Sequence, residues 1–129
     1  ELERFHLRCP DKPIMLGEYG ADTIAGFHDV NARLFSEEYQ AEFIKAYGEV
    51  FDALPYITGE HIWNFADFAT AENIRRVDGN KKGVFTRDRK PKLAAHVLRE
   101  RWKGQEKGQN DDGDCSIGCR NFKHAGDSL

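Results

Sequence analysis

The stretch PIMLGEYG, residues 13–20, decides the fold of this 129-residue chain. Residues 14–16 are a short apolar run entered through a proline, which is typical of a strand buried in a parallel sheet. Glu18 follows between two glycines, where the strand ends. Because parallel α/β folds bind ligands at the carboxyl ends of their strands, Glu18 is a candidate catalytic carboxylate. The alternative is a loop-edge glutamate that hydrogen-bonds its neighbours.

A helix and a second strand follow the first strand, with a long polar loop between residues 20 and 35. Ser36 is predicted to cap the helix, whose first turn carries two glutamates. Residues 56–65, YITGEHIWNF, are rich in β-branched and aromatic residues and predict the second strand. This order predicts a βαβ unit with parallel neighbouring strands. The buried stripe of the helix is predicted to consist of Tyr39, Phe43, Ala46, Tyr47, Val50 and Leu54.

A second polar loop, residues 67–82, leads to a last helix that Pro91 is predicted to open. Composition then changes after Gly104, where Gly, Asp, Asn, Gln and Ser dominate. Two strands and two helices cannot close a sheet or cover both of its faces, and a complete (β/α)8 barrel needs about 250 residues. We therefore predict that residues 1–103 are the last units of a larger α/β structure. Residues 104–129 are predicted to be a disordered tail.

Composition argues against several classes of function. The net charge of −3 gives no reason to expect nucleic acid or an anionic membrane as partner. No apolar run approaches the roughly 18 residues of a membrane span, and the first residues lack signal-peptide character, which leaves the compartment open. Cys9 is predicted to be a buried or half-buried thiol. Cys115, Cys119 and His124 could be taken for a metal site, but three soft ligands in a polar tail make a weak case, so no metal is predicted.

Candidate site residues converge on one rim, at the carboxyl ends of the two predicted parallel strands. Glu18 ends the first strand, Trp63 lies near the end of the second, and the following loop carries Arg76, Asn80 and Lys82. An indole stacks on the apolar face of a sugar ring, and a carboxylate stabilises or attacks positive charge at the anomeric carbon. The basic loop favours an anion that Asn80 can hydrogen-bond and Lys82 can neutralise. The alternative for this loop is a solvated basic turn.

Longer motifs at this rim carry a resemblance to a known family. The segment EYGADTIAG, residues 18–26, resembles the nucleophile segment of the β-glucuronidases of glycoside hydrolase family 2. WNFADF, residues 63–68, and GNKKG, residues 79–83, are similar to two further segments of that family, in the same order and at similar spacing. FTRDRKPK, residues 85–92, continues the likeness, which covers residues 1–103.

The resemblance implies that residues 1–103 are the carboxy-terminal portion of an α/β (β/α)8 TIM barrel, its last two strand–helix units. It also implies retaining hydrolysis of β-D-glucuronides with Glu18 as nucleophile. It implies that Asn80 and Lys82 recognise the glucuronate carboxylate and that Trp63 is the aromatic wall of the sugar site. Arg76 resembles an arginine near that carboxylate, and the adjacent Arg75 is the alternative for this position. Tyr19 is similarly placed in the substrate site, where its hydroxyl would orient the nucleophile.

The resemblance also implies partners outside this sequence. A retaining enzyme needs a second carboxylic acid about 5–5.5 Å from the nucleophile, and in the family this acid lies on an earlier strand. The implied partners are a glucuronide substrate and the remaining amino-terminal part of the same enzyme, in a homo-oligomer. No metal or organic cofactor is implied.

Two acidic residues of the second strand and its loop are assigned other roles. Glu60 is predicted to be structural and paired with His61 or an arginine, because it lies deeper on the strand than Trp63. Asp67 is predicted to hold the loop or contact ligand. Two alternative functions stay open, namely another family 2 glycosidase acting on galactosides or mannosides, and a non-catalytic carbohydrate-binding fragment.

Overall fold

The computed structural model describes residues 1–74, 76 and 78–109, so Arg75 and the Cys115, Cys119 and His124 group lie outside the described residues. The elements are α1 (Leu2–Arg8), β1 (Ile14–Tyr19), α2 (Glu37–Asp52), β2 (Ile57–Ile62) and α3 (Leu93–Gln109). Helix α3 therefore continues past the boundary predicted after residue 103. None of the helices in this part of the chain is long and apolar enough to cross a membrane.

Strands β1 and β2 are parallel neighbours, as the strand–helix–strand pattern predicts. Their register is irregular near the carboxyl end. Between the pairs Leu16–Glu60 and Tyr19–Ile62, β1 advances by three residues and β2 by two. The extra residue is a β-bulge, a feature that redirects side chains and recurs beside active sites.

Helix α2 begins as predicted and buries a different face. Ser36 is the N-cap, and its hydroxyl oxygen accepts a hydrogen bond from the Tyr39 amide at 3.1 Å. The predicted stripe is partly wrong, because Ala46, Tyr47 and Val50 are exposed. The buried face of α2 consists instead of Glu37, Gln40, Ala41, Ile44, Gly48 and Phe51.

The core lies between the sheet and the two long helices. Tyr19 of β1 packs with residues of α2 and α3, and Leu16 packs against the same cluster. The opposite face of β1 is open, and Met15 there is 57% exposed. The predicted burial of Cys9 is wrong, since its thiol is exposed beyond the end of α1. The buried members of the core are Tyr19, Ile44, Phe51, Val84, Ala94 and Leu98.

Candidate active site

Glu18 lies in the β-bulge at the carboxyl end of β1, and its side chain is exposed. Leu16 and Tyr19 flank the bulge and both face the helices. Because the bulge inserts one residue between them, Gly17 and Glu18 are left on the open side of the strand. A parallel strand of a barrel directs that side toward the barrel interior, so the position is suitable for a group that reacts with a ligand.

Tyr19 lies on the other side of β1, in the core. It is 6% exposed, and its ring stacks on Tyr47 and meets Phe51 edge-on, at centroid distances of 5.2 and 5.3 Å. Burial, and secondarily the negative charge of Glu60, raises the pKa of the Tyr19 hydroxyl. The structure does not bring this hydroxyl to Glu18. The predicted orienting contact therefore has no counterpart here, because consecutive strand residues point to opposite faces.

Trp63 lies immediately beyond β2 and is 39% exposed. Its amide donates to the Tyr19 carbonyl at 2.7 Å, which places it beside the end of β1. A side chain at Gly20 would collide with the Trp63 carbonyl, so glycine permits this close approach. The indole meets Phe68 edge-on at 6.3 Å, and a cis peptide bond joins Trp63 to Asn64.

The loop of residues 79–83 is held against the segment that follows β2. Asn80 and Phe68 exchange backbone hydrogen bonds of 2.8 and 3.3 Å. Gly79 has a φ of +90°, and a side chain there would collide with the Phe68 carbonyl. Asn80 is 3% exposed, and its Oδ1 accepts from the Lys82 amide at 3.0 Å. The predicted basic loop is thus a fixed structure, which argues against a freely solvated turn.

Three charged side chains meet where the loop after β1 approaches residues 76–82. The Lys82 ammonium pairs with Asp22, and the guanidinium of Arg76 lies 3.8 Å from the same carboxylate. All three side chains stay between 24% and 37% exposed. The structure therefore brings Arg76 and Lys82 together, as the sequence predicts, and adds Asp22. The sequence shows Asp22 four residues after Glu18, but nothing in it marks a partner 60 positions away.

A second ion pair lies buried beneath the first and was not predicted. The side chain of Lys92 is fully buried, and its ammonium donates to Asp67 Oδ1 at 2.9 Å. It also donates to the carbonyls of Thr23 at 3.0 Å and Lys81 at 3.2 Å. Asp67 Oδ1 also accepts from the Gly83 amide at 2.9 Å, so Asp67 holds the loop, one of its two predicted roles.

Glu60 faces the helix layer and not the open side of the sheet. Arg101 donates to both of its carboxylate oxygens at 3.0 and 3.3 Å, and the Trp102 indole donates to one at 3.2 Å. The prediction that Glu60 is structural and paired with an arginine is confirmed. In the part of the chain described, no cluster of three His, Cys, Asp or Glu side chains could hold a metal ion.

Comparison with known proteins agrees with this geometry. The family described as "Glycosyl hydrolases family 2, TIM barrel domain" matches residues 2–106. A β-glucuronidase of Paenibacillus borealis is 58% identical over 91 residues, 70% of this chain and 15% of that protein. A β-glucuronidase of Felis catus is 57% identical over 99 residues, 74% of this chain and 15% of that protein. The chain thus spans about 15% of the length of these relatives.

Solved structures give the same result. The β-D-glucuronidase of Dictyoglomus thermophilum is 55% identical, with a TM-score of 0.76 over 79% of this chain and 18% of that one. A Ruminococcus gnavus β-glucuronidase in complex with uronic isofagomine is 48% identical, with a TM-score of 0.77 over 80% of this chain and 17% of that one. Fold and neighbours together define a fragment of an α/β TIM barrel. The chain belongs to glycosyl hydrolase family 2.

Proposed function

We propose that this chain is the carboxy-terminal part of the barrel of a retaining β-glucuronidase, with the barrel ending near residue 103. Its two strand–helix units would be the last two of the barrel. The observation that carries the proposal is the position of Glu18, exposed on the open side of β1 and four residues before Asp22, on whose carboxylate Lys82 and Arg76 converge. The names of the relatives support the choice of substrate.

In the proposed mechanism Glu18 attacks the anomeric carbon and forms a glycosyl-enzyme, which water then hydrolyses. Protonation of the leaving oxygen requires a second carboxylic acid about 5–5.5 Å from Glu18. That acid would come from the amino-terminal part of the enzyme, because the one glutamate of β2, Glu60, is held by Arg101 on the helix side. The proposed partners are therefore the glucuronide and the rest of the barrel, within a homo-oligomer.

The proposed substrate contacts divide between ring and carboxylate. Trp63 would stack on the sugar ring, since its indole is partly exposed at the end of the neighbouring strand. Lys82 and Arg76 would supply positive charge to the glucuronate carboxylate, and the Asn80 amide would donate a hydrogen bond to it. Tyr19 would support Glu18 by fixing the end of β1 in the core.

The nucleophile assignment is tested with Glu18→Gln in the complete enzyme. Glutamine keeps the shape but cannot act as an ionised nucleophile, so turnover should be lost while substrate binding survives. A fluorinated glucuronide that traps the glycosyl-enzyme should add its mass to the peptide containing Glu18. Glu42→Gln is the matched control, because Glu42 lies on the exposed side of α2 and pairs only with a surface lysine among the described residues. Substantial turnover by Glu18→Gln, or a label on another peptide, would refute the assignment.

The substrate assignment is tested by comparing hydrolysis of a chromogenic β-glucuronide with that of the matching β-glucoside, β-galactoside and β-mannoside. Selective cleavage of the glucuronide is expected. Preference for a neutral sugar would replace the proposal with another family 2 glycosidase. Binding without cleavage of any substrate by the complete enzyme would indicate a non-catalytic carbohydrate-binding protein.

A further inference from the structure

The buried ammonium of Lys92 has no part in the proposed chemistry, yet it contacts each segment that forms the candidate carboxylate site. Its three acceptors belong to the loop after β1, the segment after β2 and the loop of residues 79–83. The last of them is the carbonyl of Lys81. Lys92 is itself fixed by its place at the start of α3, where the amide of Leu93 donates to Glu37 of α2 at 2.6 Å.

One peptide group links Lys92 to two of the three proposed carboxylate ligands, Asn80 and Lys82. The carbonyl of the peptide between Lys81 and Lys82 accepts from the Lys92 ammonium at 3.2 Å and from the Thr23 amide at 2.9 Å. The N–H of the same peptide donates to Asn80 Oδ1 at 3.0 Å. Fixing the plane of this peptide therefore sets the direction of the Asn80 side-chain amide and the starting point of the Lys82 side chain.

The peptide between Lys82 and Gly83 is also fixed by buried side chains. Asp67 Oδ1 accepts both the Lys92 ammonium and the amide of Gly83, at 2.9 Å each. The carbonyl of Lys82 accepts from the side-chain amide of Gln40 at 3.2 Å. Both peptides that flank Lys82 are therefore oriented by buried side chains, while the Lys82 side chain itself stays partly exposed.

We propose that Lys92 is a positioning residue for recognition of the sugar carboxylate, acting through the Lys81–Lys82 peptide on Asn80 and Lys82. The proposal rests on the proposed function. A positioning role differs from a purely structural one because it predicts a loss of affinity only for ligands that carry the carboxylate. Hydrogen bonds to a charged group change affinity by roughly ten- to hundredfold, so displacing Asn80 and Lys82 should weaken binding of the carboxylate ligand by at least about tenfold.

The test uses two inhibitors that differ only in this group, uronic isofagomine and isofagomine, which carries a hydroxymethyl group in place of the carboxylate. Calorimetry on the complete enzyme should show that Lys92→Met weakens binding of uronic isofagomine by at least about tenfold and binding of isofagomine by less than about threefold. Methionine matches the length of lysine and removes the ammonium. Lys45→Met is the matched control on the exposed side of α2 and should change neither affinity.

A second variant keeps the test valid if Lys92→Met does not fold. The Asp67→Asn/Lys92→Met double variant removes both buried charges and leaves an amide oxygen for the Gly83 N–H. This double variant should show the same selective loss of affinity for uronic isofagomine. Asp67→Asn alone keeps the Lys92 amine next to the Thr23 and Lys81 carbonyls and should retain more of the preference for the uronic inhibitor.

Hydrogen exchange supplies a readout that does not depend on any ligand. The amides of residues 79–83 should exchange faster in either Lys92 variant, with helix α2 unchanged. Two results would overturn the role of Lys92 and leave the proposed function intact. One is an equal loss of affinity for both inhibitors. The other is an unchanged preference for uronic isofagomine together with unchanged hydrogen exchange in residues 79–83. Equal binding of the two inhibitors by the unaltered enzyme would overturn the proposed function, and this inference with it.

Discussion

Two aspartate–lysine pairs tie the loops at the rim together, and they differ in burial. The Asp67 and Lys92 side chains are 9% and 0% exposed, whereas those of Asp22 and Lys82 are 28% and 24% exposed. The Lys92 ammonium also donates to two backbone carbonyls. The buried pair therefore fixes the backbone, while the accessible pair presents a cation that a ligand can reach.

The strongest test of this comparison is the stability of two matched variants. Lys92→Met leaves a buried carboxylate without its counter-charge and should lower the free energy of unfolding by about 3–5 kcal/mol. Lys82→Met breaks a partly exposed pair and should lower it by less than about 1 kcal/mol. Calorimetric midpoints of the complete enzyme measure both. Equal shifts in the two unfolding midpoints would show that the buried and the accessible pair contribute equally to stability.

A second test concerns selectivity. Lys82→Ala should reduce kcat/KM for the glucuronide because an ionic hydrogen bond contributes about 1.5–3 kcal/mol, which is roughly a ten- to hundredfold change. The matching glucoside has no carboxylate, so its kcat/KM should be unchanged. Lys45→Ala controls for loss of a surface lysine. A constant ratio of glucuronide to glucoside cleavage would argue against Lys82 as the carboxylate ligand.

The smallest effect is expected at a third ion pair, His28–Glu38, which lies on the surface with a separation of 2.8 Å. Hydrogen bonding to Glu38, and then its charge, raises the pKa of His28 above its ordinary 6.5. The Asp29 amide first, and His28 second, lower the pKa of Glu38 to about 2. The contribution of His28 to the free energy of unfolding is complete below pH 6.5 and is lost as the pH rises through the raised pKa of His28. The glutamate contribution is complete above pH 4.5 and lost as pH falls toward 2, so the pair is strongest between these values.

The measurement for this pair is an NMR titration of the complete enzyme labelled at histidine and at glutamate, with His28→Gln and Glu38→Gln to identify the two signals. The pKa of His28 should lie above 6.5. In His28→Gln the pKa of Glu38 should rise only part of the way toward 4.5, because the Asp29 amide remains. A complete return to 4.5 would show that the histidine, and not the backbone, holds this carboxylate.

Local signals in the sequence predicted much of the fold. Ser36 caps α2, and the strand–helix–strand spacing gives the parallel pair β1–β2. These features depend on residues close together in the chain. The buried face of α2 was predicted less well because Gln40 belongs to it. This polar side chain is buried because its amide donates to the carbonyls of Ala21, Lys82 and Gly83.

Long-range partners explain what the sequence could not predict at the site. Lys92 follows a proline at a helix start and has the pattern of a surface lysine, and its three acceptors lie 11, 25 and 69 positions away. Asp22 likewise finds Lys82 at a separation of 60 positions. The resemblance implies that Tyr19 lies beside the nucleophile, and the structure places its ring in the core on the other face of β1.

The β-bulge in β1 makes chain length, rather than side-chain chemistry, the critical property at Gly17. A side chain added at Gly17 meets nothing within 4 Å in this chain, so no contact within the chain requires glycine there. Gly17 supplies one extra peptide between Leu16 and Tyr19, both of which are anchored in the core. Deleting Gly17 while these two anchors are kept would remove the bulge, so the Glu18 side chain would stay on the open side but point in a different direction. A single-residue deletion should therefore be far more damaging here than any conservative replacement, and libraries that vary loop length should leave this strand intact.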